Sequence, residues 1–361
     1  MELSPFPFQG PLDPRQVRGR DDLLADLARR IAERRVTALV GPRRYGKTTV
    51  LRRLASEKGR TVVWVDLYEV TSIADVAARF DQALAVSSGG VFGSVIERIA
   101  ATLSVNLGVL RIDLRGPARD RPDPALSLSA LLEVLVAAAS RHQTLLVIDE
   151  FSFISRIPEA AGMLRTALQH QYRELGIVFA GSQPAMMRTL FSSRSEPFYG
   201  QADLVEIGPL TRPGLTEIIQ KGFTSTKRKP GPVAPIVYQM TDGHPMRAMQ
   251  YADRCWTETA QGAAATAETA VEALEQLRRG EAEPLERIFS SFTDSEKALL
   301  RSVAVSGNVY GAEAALLGVV GGAAARARRK LVDSGDLIEA EAGVKVTDPF
   351  MADWIRRRFP L

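Results

Sequence analysis

The stretch Val36-Thr37-Ala38-Leu39-Val40-Gly41-Pro42-Arg43-Arg44-Tyr45-Gly46-Lys47-Thr48-Thr49 decides the fold. Its apolar, β-branched opening, Val36–Val40, reads as a strand, and Lys47–Lys58 reads as a helix. Between them Gly41 to Thr48 match G-x-x-x-x-G-K-S/T in full, in the strand–loop–helix setting that gives this motif its meaning. The glycines let backbone approach an anion with no Cβ in the way. Amides at the helix N-terminus point at that anion and add favourable partial charge. The anion is a nucleotide's phosphate chain, lined by Gly41, Pro42, Arg43, Arg44, Tyr45, Gly46, Lys47, Thr48 and Thr49. By the motif's mechanics Lys47 bridges the β- and γ-phosphates, Thr48 holds Mg²⁺ through its hydroxyl, and Thr49 lies near the α-phosphate. Arg43 and Arg44 have two readings: contacts to phosphate or a neighbouring subunit, or an exposed, solvated pair.

A second motif lies about a hundred residues on. Leu145-Leu146-Val147-Ile148-Asp149-Glu150 places two carboxylates directly after a hydrophobic strand. In a parallel sheet, the ends of such strands share the edge where ligands bind. Asp149 is read as a water-mediated Mg²⁺ ligand, and Glu150 as the base or the group that orients attacking water. Lys47 and Mg²⁺ together supply the charge stabilisation that phosphoryl transfer needs. The chain has no Asn-Lys-x-Asp guanine-reading motif, which argues against a GTPase. Ser87-Ser88-Gly89-Gly90 lies far before the acidic strand and reads as a turn rather than a transporter signature.

Working outward, strand and helix patterns alternate. Thr61–Asp66, Thr144–Asp149, Ile177–Gly181 and Leu204–Ile207 join Val36–Val40 as strands. Ile73–Val86, Val91–Leu103, Leu126–Ser140 and Pro158–Tyr172 read as helices. This alternation argues an α/β domain with a parallel sheet covered on both faces, over residues 1–210. Asn106–Arg115 as a hairpin and Gly116–Pro124 as a loop form an insert at about 104–125. From Pro213 the chain is mostly helical: Pro213–Lys221, Pro232–Met240, Pro245–Thr259 and Ala263–Leu277, three of them with Pro at or near the first position. Gly222–Gly231 reads as a basic surface loop. This helical part spans 211–285.

Residues 286–361 form a third unit. Thr293 caps a helix over Glu296–Val305, with Glu296 at the capping-box position. Helices near Ala312–Val319 and Gly322–Asp333 follow, then Leu337–Glu341 and Val344–Thr347 around the turn Ala342-Gly343. Three helices and a two-stranded wing are the order of a winged helix. Its third helix carries Arg326, Arg328, Arg329 and Lys330, where such a domain reads double-stranded DNA. Against this, residues 286–361 hold 11 basic and 10 acidic residues, not a strong DNA-binding footprint. A protein partner or an autoinhibitory role is the other reading. Arg356-Arg357-Arg358 is a second basic patch or simply a soluble end.

Composition sets the outer limits. The chain has 361 residues, 46 Lys plus Arg, 42 Asp plus Glu and a formal net charge of +4. At 45% hydrophobic and 24% charged it is neither collagen-like, nor a coiled coil, nor largely disordered. A single cysteine, Cys255, excludes an internal disulfide and a cysteine-cluster zinc site. Met1–Gly10 lacks the basic start and apolar core of a signal peptide, and the longest stretch without polar residues, Ala314–Ala325, is too short to cross a bilayer. The expectation is a cytoplasmic protein with no membrane partner.

In order along the chain stand Gly41–Thr48, Asp149-Glu150, Phe179-Ala180-Gly181-Ser182-Gln183, Gly208-Pro209-Leu210 and Asp242-Gly243-His244-Pro245. With these, the chain resembles the archaeal-type P-loop ATPases, a family also found in bacteria and placed between AAA+ proteins and the switch ATPases. Val17-Arg18-Gly19-Arg20-Asp21-Asp22 resembles the Gly-Arg-acid element that opens such domains. Asp348-Pro349-Phe350 and Trp354 resemble their Asp-Pro…Trp ending. The resemblance implies an AAA+-type three-layer domain with a five-stranded sheet in order 5-1-4-3-2, a helical lid and a winged helix. It implies ATP/ADP as ligand with Mg²⁺, and slow ATP hydrolysis that switches the lid and winged helix.

It also implies roles residue by residue. Ser182, or next Gln183, takes the sensor role toward the γ-phosphate or attacking water. The competing reading makes Ser182 a helix cap before Pro184. His244 and Pro245 lie against nucleotide, or form a turn before a Pro-started helix. Arg247 is a candidate second sensor, Val17 and Arg18 border the adenine, and Arg20 holds the lid by an ion pair. One departure stands out: Phe198-Tyr199-Gly200 is followed by Gln201 where many members carry Arg. Arg188 and Arg194 are the candidate substitutes. Monomer and nucleotide-dependent oligomer both stay open. So do two rivals, a DNA-binding initiator- or regulator-like ATPase and a non-catalytic, nucleotide-gated interaction protein.

Overall fold

The apolar runs become five strands: β1 (Thr37–Val40), β2 (Thr61–Asp66), β3 (Thr144–Asp149), β4 (Gly176–Gly181) and β5 (Asp203–Glu206). In the computed structural model they pair in the order β2-β3-β4-β1-β5, all parallel, which is the expected order 5-1-4-3-2. Every residue of β1, β3 and β4 is buried, whereas β2 and β5 are exposed in part. Central strands without alternation are what a sheet covered on both faces requires. The structure describes residues 2–10, 12–57, 61–87, 93–94, 123–139, 143–309, 312–318, 321–340 and 343–360. The helix expected over Val91–Leu103, apart from residues 93–94, the Asn106–Arg115 hairpin and nearly all of the 104–125 insert lie outside them. So do most of the Ser87–Gly90 turn and residue 342 of the last turn.

Helices α1 (Asp21–Ala32), α2 (Lys47–Ala55), α3 (Ile73–Ser87), α4 (Pro124–Ala139), α5 (Pro158–Leu168) and α6 (Pro184–Ser192) accompany the sheet. The expectations did not include α1. Its signal was Leu23, Leu24, Leu27 and Ile31 at helical spacing after two acids, and Leu27 and Ile31 are buried. A 3₁₀ turn over Phe151–Arg156 follows β3, and its Phe151 joins Phe179, Phe191 and Phe198 in one aromatic cluster.

The rest is mostly helical: α7 (Arg212–Ser225), α8 (Val233–Thr241), α9 (Pro245–Thr257), α10 (Ala267–Ser290), α11 (Asp294–Ser306), α12 (Ala312–Leu316), α13 (Gly321–Ser334), the antiparallel pair β6 (Leu337–Ala340) and β7 (Gly343–Val346), and α14 (Pro349–Arg358). The Glu296 carboxylate accepts from Thr293 N at 2.9 Å, as the capping box required. Two expectations are corrected. α10 starts at Ala267, because Thr266 caps it there, and it runs on to Ser290 through Pro284. Proline costs the bond to the carbonyl four residues back, here Gly280. Buried Ala270, Ala273 and Leu277 before it, and Leu285 and Phe289 after it, hold both halves in one core. Nor is Gly222–Gly231 a simple surface loop. α7 continues to Ser225, and the Phe6 ring packs onto its Gly222, where a Cβ would stand 2.3 Å from that ring. Arg228 then lies over Trp256, 4.3 Å from its ring centroid, and pairs with Glu2.

The chain divides into two compact units. One comprises Asp22–Gly41 and Lys47–Ile207, and holds the sheet. The other comprises Met1–Asp21, Pro42–Gly46 and Gly208–Leu361. In the second, one connected apolar cluster runs from Phe6 and Leu210 through the helices to Ile355. Among the described residues no helix is long and apolar enough to cross a membrane.

Candidate functional site

In the sheet unit the parallel register sets the site. Val40 lies beside Gly181, and Asp66 beside Asp149, so β1, β3 and β4 release their carboxyl ends at one edge. Gly41 leaves β1 under tight constraint: a Cβ there would meet Ile207 Cγ2 at 2.4 Å and its carbonyl oxygen at 2.7 Å. Lys47 opens α2 with its side chain buried, and its Nζ donates to Gly41 O at 2.7 Å. Thr48 Oγ1 donates to Asp149 Oδ2 at 3.1 Å. The phosphate-loop helix and the acidic strand are therefore joined by the two side chains assigned to Mg²⁺.

Burial pushes the Asp149 carboxyl up to about 6, and the Glu150 and Asp66 charges push the same way. Hydrogen bonds from Glu150 N and Thr48 oppose this. Asp66, exposed at the end of β2, was not expected to contribute. Its signal was a second apolar strand that ends in Asp, and the register sets Asp66 directly beside Asp149. A buried carboxylate raised by its neighbours' charge is one that a divalent cation would restore to its ionised form.

Glu150 sits in the left-handed region, at φ 51° and ψ 38°. A non-glycine residue there carries strain, and such strain concentrates at functional sites. Its Oε2 accepts from Ser182 Oγ at 2.6 Å and from Ser182 N at 3.3 Å. The cap reading of Ser182 is corrected: Gln183 holds the cap position of α6, without a side-chain bond, and Ser182 is committed to Glu150.

The groups fit Mg²⁺ and a phosphate chain. Among the described residues no set of three or more His, Cys, Asp or Glu is placed to hold a metal. A hydroxyl and one carboxylate oxygen are the partial set that Mg²⁺ takes when waters and phosphate oxygens complete its octahedron. Gly46, at φ +88°, has open space where a Cβ would stand.

The other unit holds the remaining expected residues. Tyr45 is buried edge-on against His244, with ring centroids 5.0 Å apart. Burial, with the Asp242 and Asp348 charges, pushes its hydroxyl up to about 12. Arg43 and Arg44 are exposed, and Arg44 adopts φ 67°. His244 caps α9, its Nδ1 accepting from Arg247 N at 3.3 Å, and Pro245 takes the first helical position. Burial brings the His244 imidazole down to about 4, helped by Arg247 and Arg44 and opposed by Asp348. At neutral pH it is an uncharged ring with Nδ1 occupied, leaving only Nε2–H to donate.

Arg247, the candidate second sensor, is buried and committed. It binds Asp348 through Nε and Nη2, at 2.9 and 2.6 Å, and Glu281 through Nη1 at 2.7 Å. Arg20 forms no ion pair among the described residues, which corrects that expectation. It donates to the carbonyls of Gly208, Pro209 and Tyr45. Val17 is half-buried, and Arg18 is exposed near Glu217. Of the two substitutes for the arginine missing at Gln201, Arg188 is paired with Glu206 at 2.6 Å, while Arg194 is exposed in a turn.

Comparison with known proteins bears on the fold. A family model described as an AAA domain matches residues 29–187. No curated protein sequence matches the chain. Among solved structures, the Walker-type ATPase of Pyrococcus abyssi is similar over 98% of this chain and 99% of its own, at 18% identity and a TM-score of 0.68. The Aeropyrum pernix ORC2 protein in its ADPNP–ADP complexes is similar over 98% of both chains, at 14% identity and a TM-score of 0.55. Its ADP form gives 12% identity and 0.54 over the same coverage. Residues 29–187 thus match an AAA-domain family model, and the whole chain shares its fold with the Walker-type ATPase of Pyrococcus abyssi.

Proposed function

We propose that this protein binds ATP with Mg²⁺ and hydrolyses it slowly, using nucleotide state to shift the helical lid (211–285) and a winged helix (286–361). The single observation that carries the reading is the gathering of Lys47, Thr48, Asp149, Glu150 and Ser182 at one edge of one parallel sheet. Lys47 donates to the loop carbonyl of Gly41 and is within the loop that would cradle phosphate. Thr48 and Asp149 would hold Mg²⁺, which when bound neutralises phosphate charge as the terminal phosphoryl group leaves. Glu150 would orient the attacking water and take its proton, with Ser182 fixing the carboxylate. Tyr45, His244 and Pro245, with Val17 and Arg18 for the base, are the further residues that the family resemblance assigns to the nucleotide. The ORC2 neighbour, solved with ADPNP and ADP, supports a nucleotide as ligand.

The test is turnover of ATP by the parent and by Glu150→Gln. The amide still accepts from Ser182 but takes no proton. Mg·ATP affinity should stay within about twofold, while turnover should fall by about 10²–10⁴-fold. Turnover by Glu150→Gln at the parent rate would refute the assignment.

A second reading, binding of double-stranded DNA through α13, rests on Arg326 and Arg329. Both are exposed and unpaired among the described residues. Arg328 is paired with Glu339, and Lys330 with the buried Glu296. Only half of the basic cluster is thus available to phosphates. Salt-dependent duplex binding lost in Arg326→Ala/Arg329→Ala would support this reading, and its absence in the parent would end it.

A further inference from the structure

Arg20 lies one residue before α1 in the chain and donates to three backbone carbonyls: Gly208 O at 2.7 Å and Tyr45 O at 3.4 Å from Nη2, and Pro209 O at 3.1 Å from Nη1. No carboxylate balances it among the described residues. Burial draws its pKa down to about 10. A guanidinium is a rigid, planar fork of donors, suited to holding several acceptors in one fixed arrangement.

The consequence lies in one peptide plane. The C=O of Tyr45 and the N–H of Gly46 belong to the same trans peptide and point in opposite directions. Holding the carbonyl therefore aims the amide away from Arg20. Gly46, at φ +88° with open space at its Cβ position, carries one of the amides that the phosphate-loop motif turns on an anion. We propose that Arg20 is a positioning residue for phosphate recognition: by holding the Tyr45 carbonyl it fixes the direction in which the Gly46 amide is presented to an anion.

Contacts within the same unit keep the grip in place. The segment carrying Gly208 and Pro209 is held next door, where Leu210 N donates to Gly243 O at 2.8 Å. A Cβ on Gly243 would lie 2.1 Å from Leu210 O, so this approach needs glycine. His244, the next residue, packs against the Tyr45 ring. The path from Arg20 through Gly208–Leu210, Gly243, His244 and Tyr45 closes on itself. The Tyr45–Gly46 peptide is thereby braced from its side chain and from its carbonyl.

The inference rests on the nucleotide reading above, and its test separates the two. The full chain is titrated with ADP and, separately, AMP, without Mg²⁺, as the parent, Arg20→Ala and Arg20→Lys. ADP affinity should fall about tenfold in Arg20→Ala, the worth of a charge-assisted hydrogen bond, while AMP affinity stays within about twofold. Arg20→Lys keeps the charge without the fork and should show the same loss, and free guanidinium at non-denaturing concentration should restore ADP binding to Arg20→Ala. Unchanged ADP binding, equal loss of AMP and ADP, or full function in Arg20→Lys would overturn the proposal. If Arg20→Ala fails to fold, Arg20→Lys decides alone. A parent that binds no ADP would instead remove the nucleotide reading, and this inference with it.

Discussion

Ser182 gives both its hydroxyl and its amide to a single oxygen of Glu150, Oε2, at 2.6 and 3.3 Å. Among the described residues no hydrogen bond is made to Oε1 of the same carboxylate. The two residues come from neighbouring strand ends, 32 positions apart in the chain. A carboxylate gripped at one oxygen presents the other in a defined direction, which is what a group that positions water needs.

Loss of the Ser182 hydroxyl should therefore act on turnover rather than on binding. In Ser182→Ala the amide contact persists and the stronger bond is gone. We expect kcat for ATP to drop about tenfold with KM within about twofold, the worth of one hydrogen bond to a charged group. Ser182→Thr should recover most of the rate. Steady-state phosphate release measures both, and a KM effect without a kcat effect would place Ser182 in binding instead.

On the proposed reading, the buried Asp149 should make Mg²⁺-nucleotide binding sensitive to acid. Its folded pKa of about 6 lies above the usual carboxylate value because of burial and the charges of Glu150 and Asp66. Without ligand, this group's contribution to stability is greatest below the unfolded value and is lost as pH rises through about 6. Mg²⁺ needs the ionised form, so its binding competes with a proton below that pH. The rise in Tm produced by Mg·ADP over ADP alone should shrink as pH falls from 7 to 5, readable by thermal unfolding at both pH values. Asp149→Asn should abolish the difference between Mg·ADP and ADP.

Arg247 and Asp348 form the main polar lock of the helical unit. Burial works against the Asp348 charge, but hydrogen bonds and charge from Arg247 hold its carboxyl below the usual range. That stabilisation is present above the unfolded pKa and is lost as pH falls through the lowered folded value. Asp348→Ala leaves the buried Arg247 guanidinium, among the described residues, with the hydrogen bonds to Glu281 and Gln250. We expect a loss of about 3–5 kcal/mol in denaturant unfolding, the cost of breaking a buried pair from one side. A loss under about 1 kcal/mol would show that the pair is solvated in solution.

Gly41→Ala should cost stability and nucleotide affinity together. Its Cβ would overlap Ile207, the residue after β5, at 2.4 and 2.7 Å. Backbone has to move on one side or the other, which costs about 1–3 kcal/mol in a packed setting. Because Gly41 O also receives the Lys47 ammonium, the shift reaches the loop's lysine. Urea unfolding and an ADP titration on one preparation check both halves.

The phosphate loop, the acidic pair and the strands were legible because each is a contiguous run whose chemistry is local. Gly41–Thr48 and Leu145–Glu150 contain their own spacing, and a buried strand announces itself by unbroken apolar residues. Element ends were less legible. α10 outran its expected stop at Leu277 and continues through Pro284, where the buried Leu285 and Phe289 hold its second half in the core. α1 was passed over although its leucines keep helical spacing.

Partnerships were not legible at all. Nothing in the local pattern of Arg20 distinguishes an ion pair from three carbonyls. Nothing in Met1–Gly10 says that Phe6 is fully buried against Phe223. Ser182 reads equally well as a cap until Glu150 is seen to claim it. The sequence by itself determined which groups are present and which backbone they ride on, because propensity and motif spacing act over a few residues. The tertiary structure alone decided which groups meet. Thr48 and Asp149 are 101 positions apart, as are Arg247 and Asp348, and such pairs are set by how the sheet and helices pack rather than by any short run of chain.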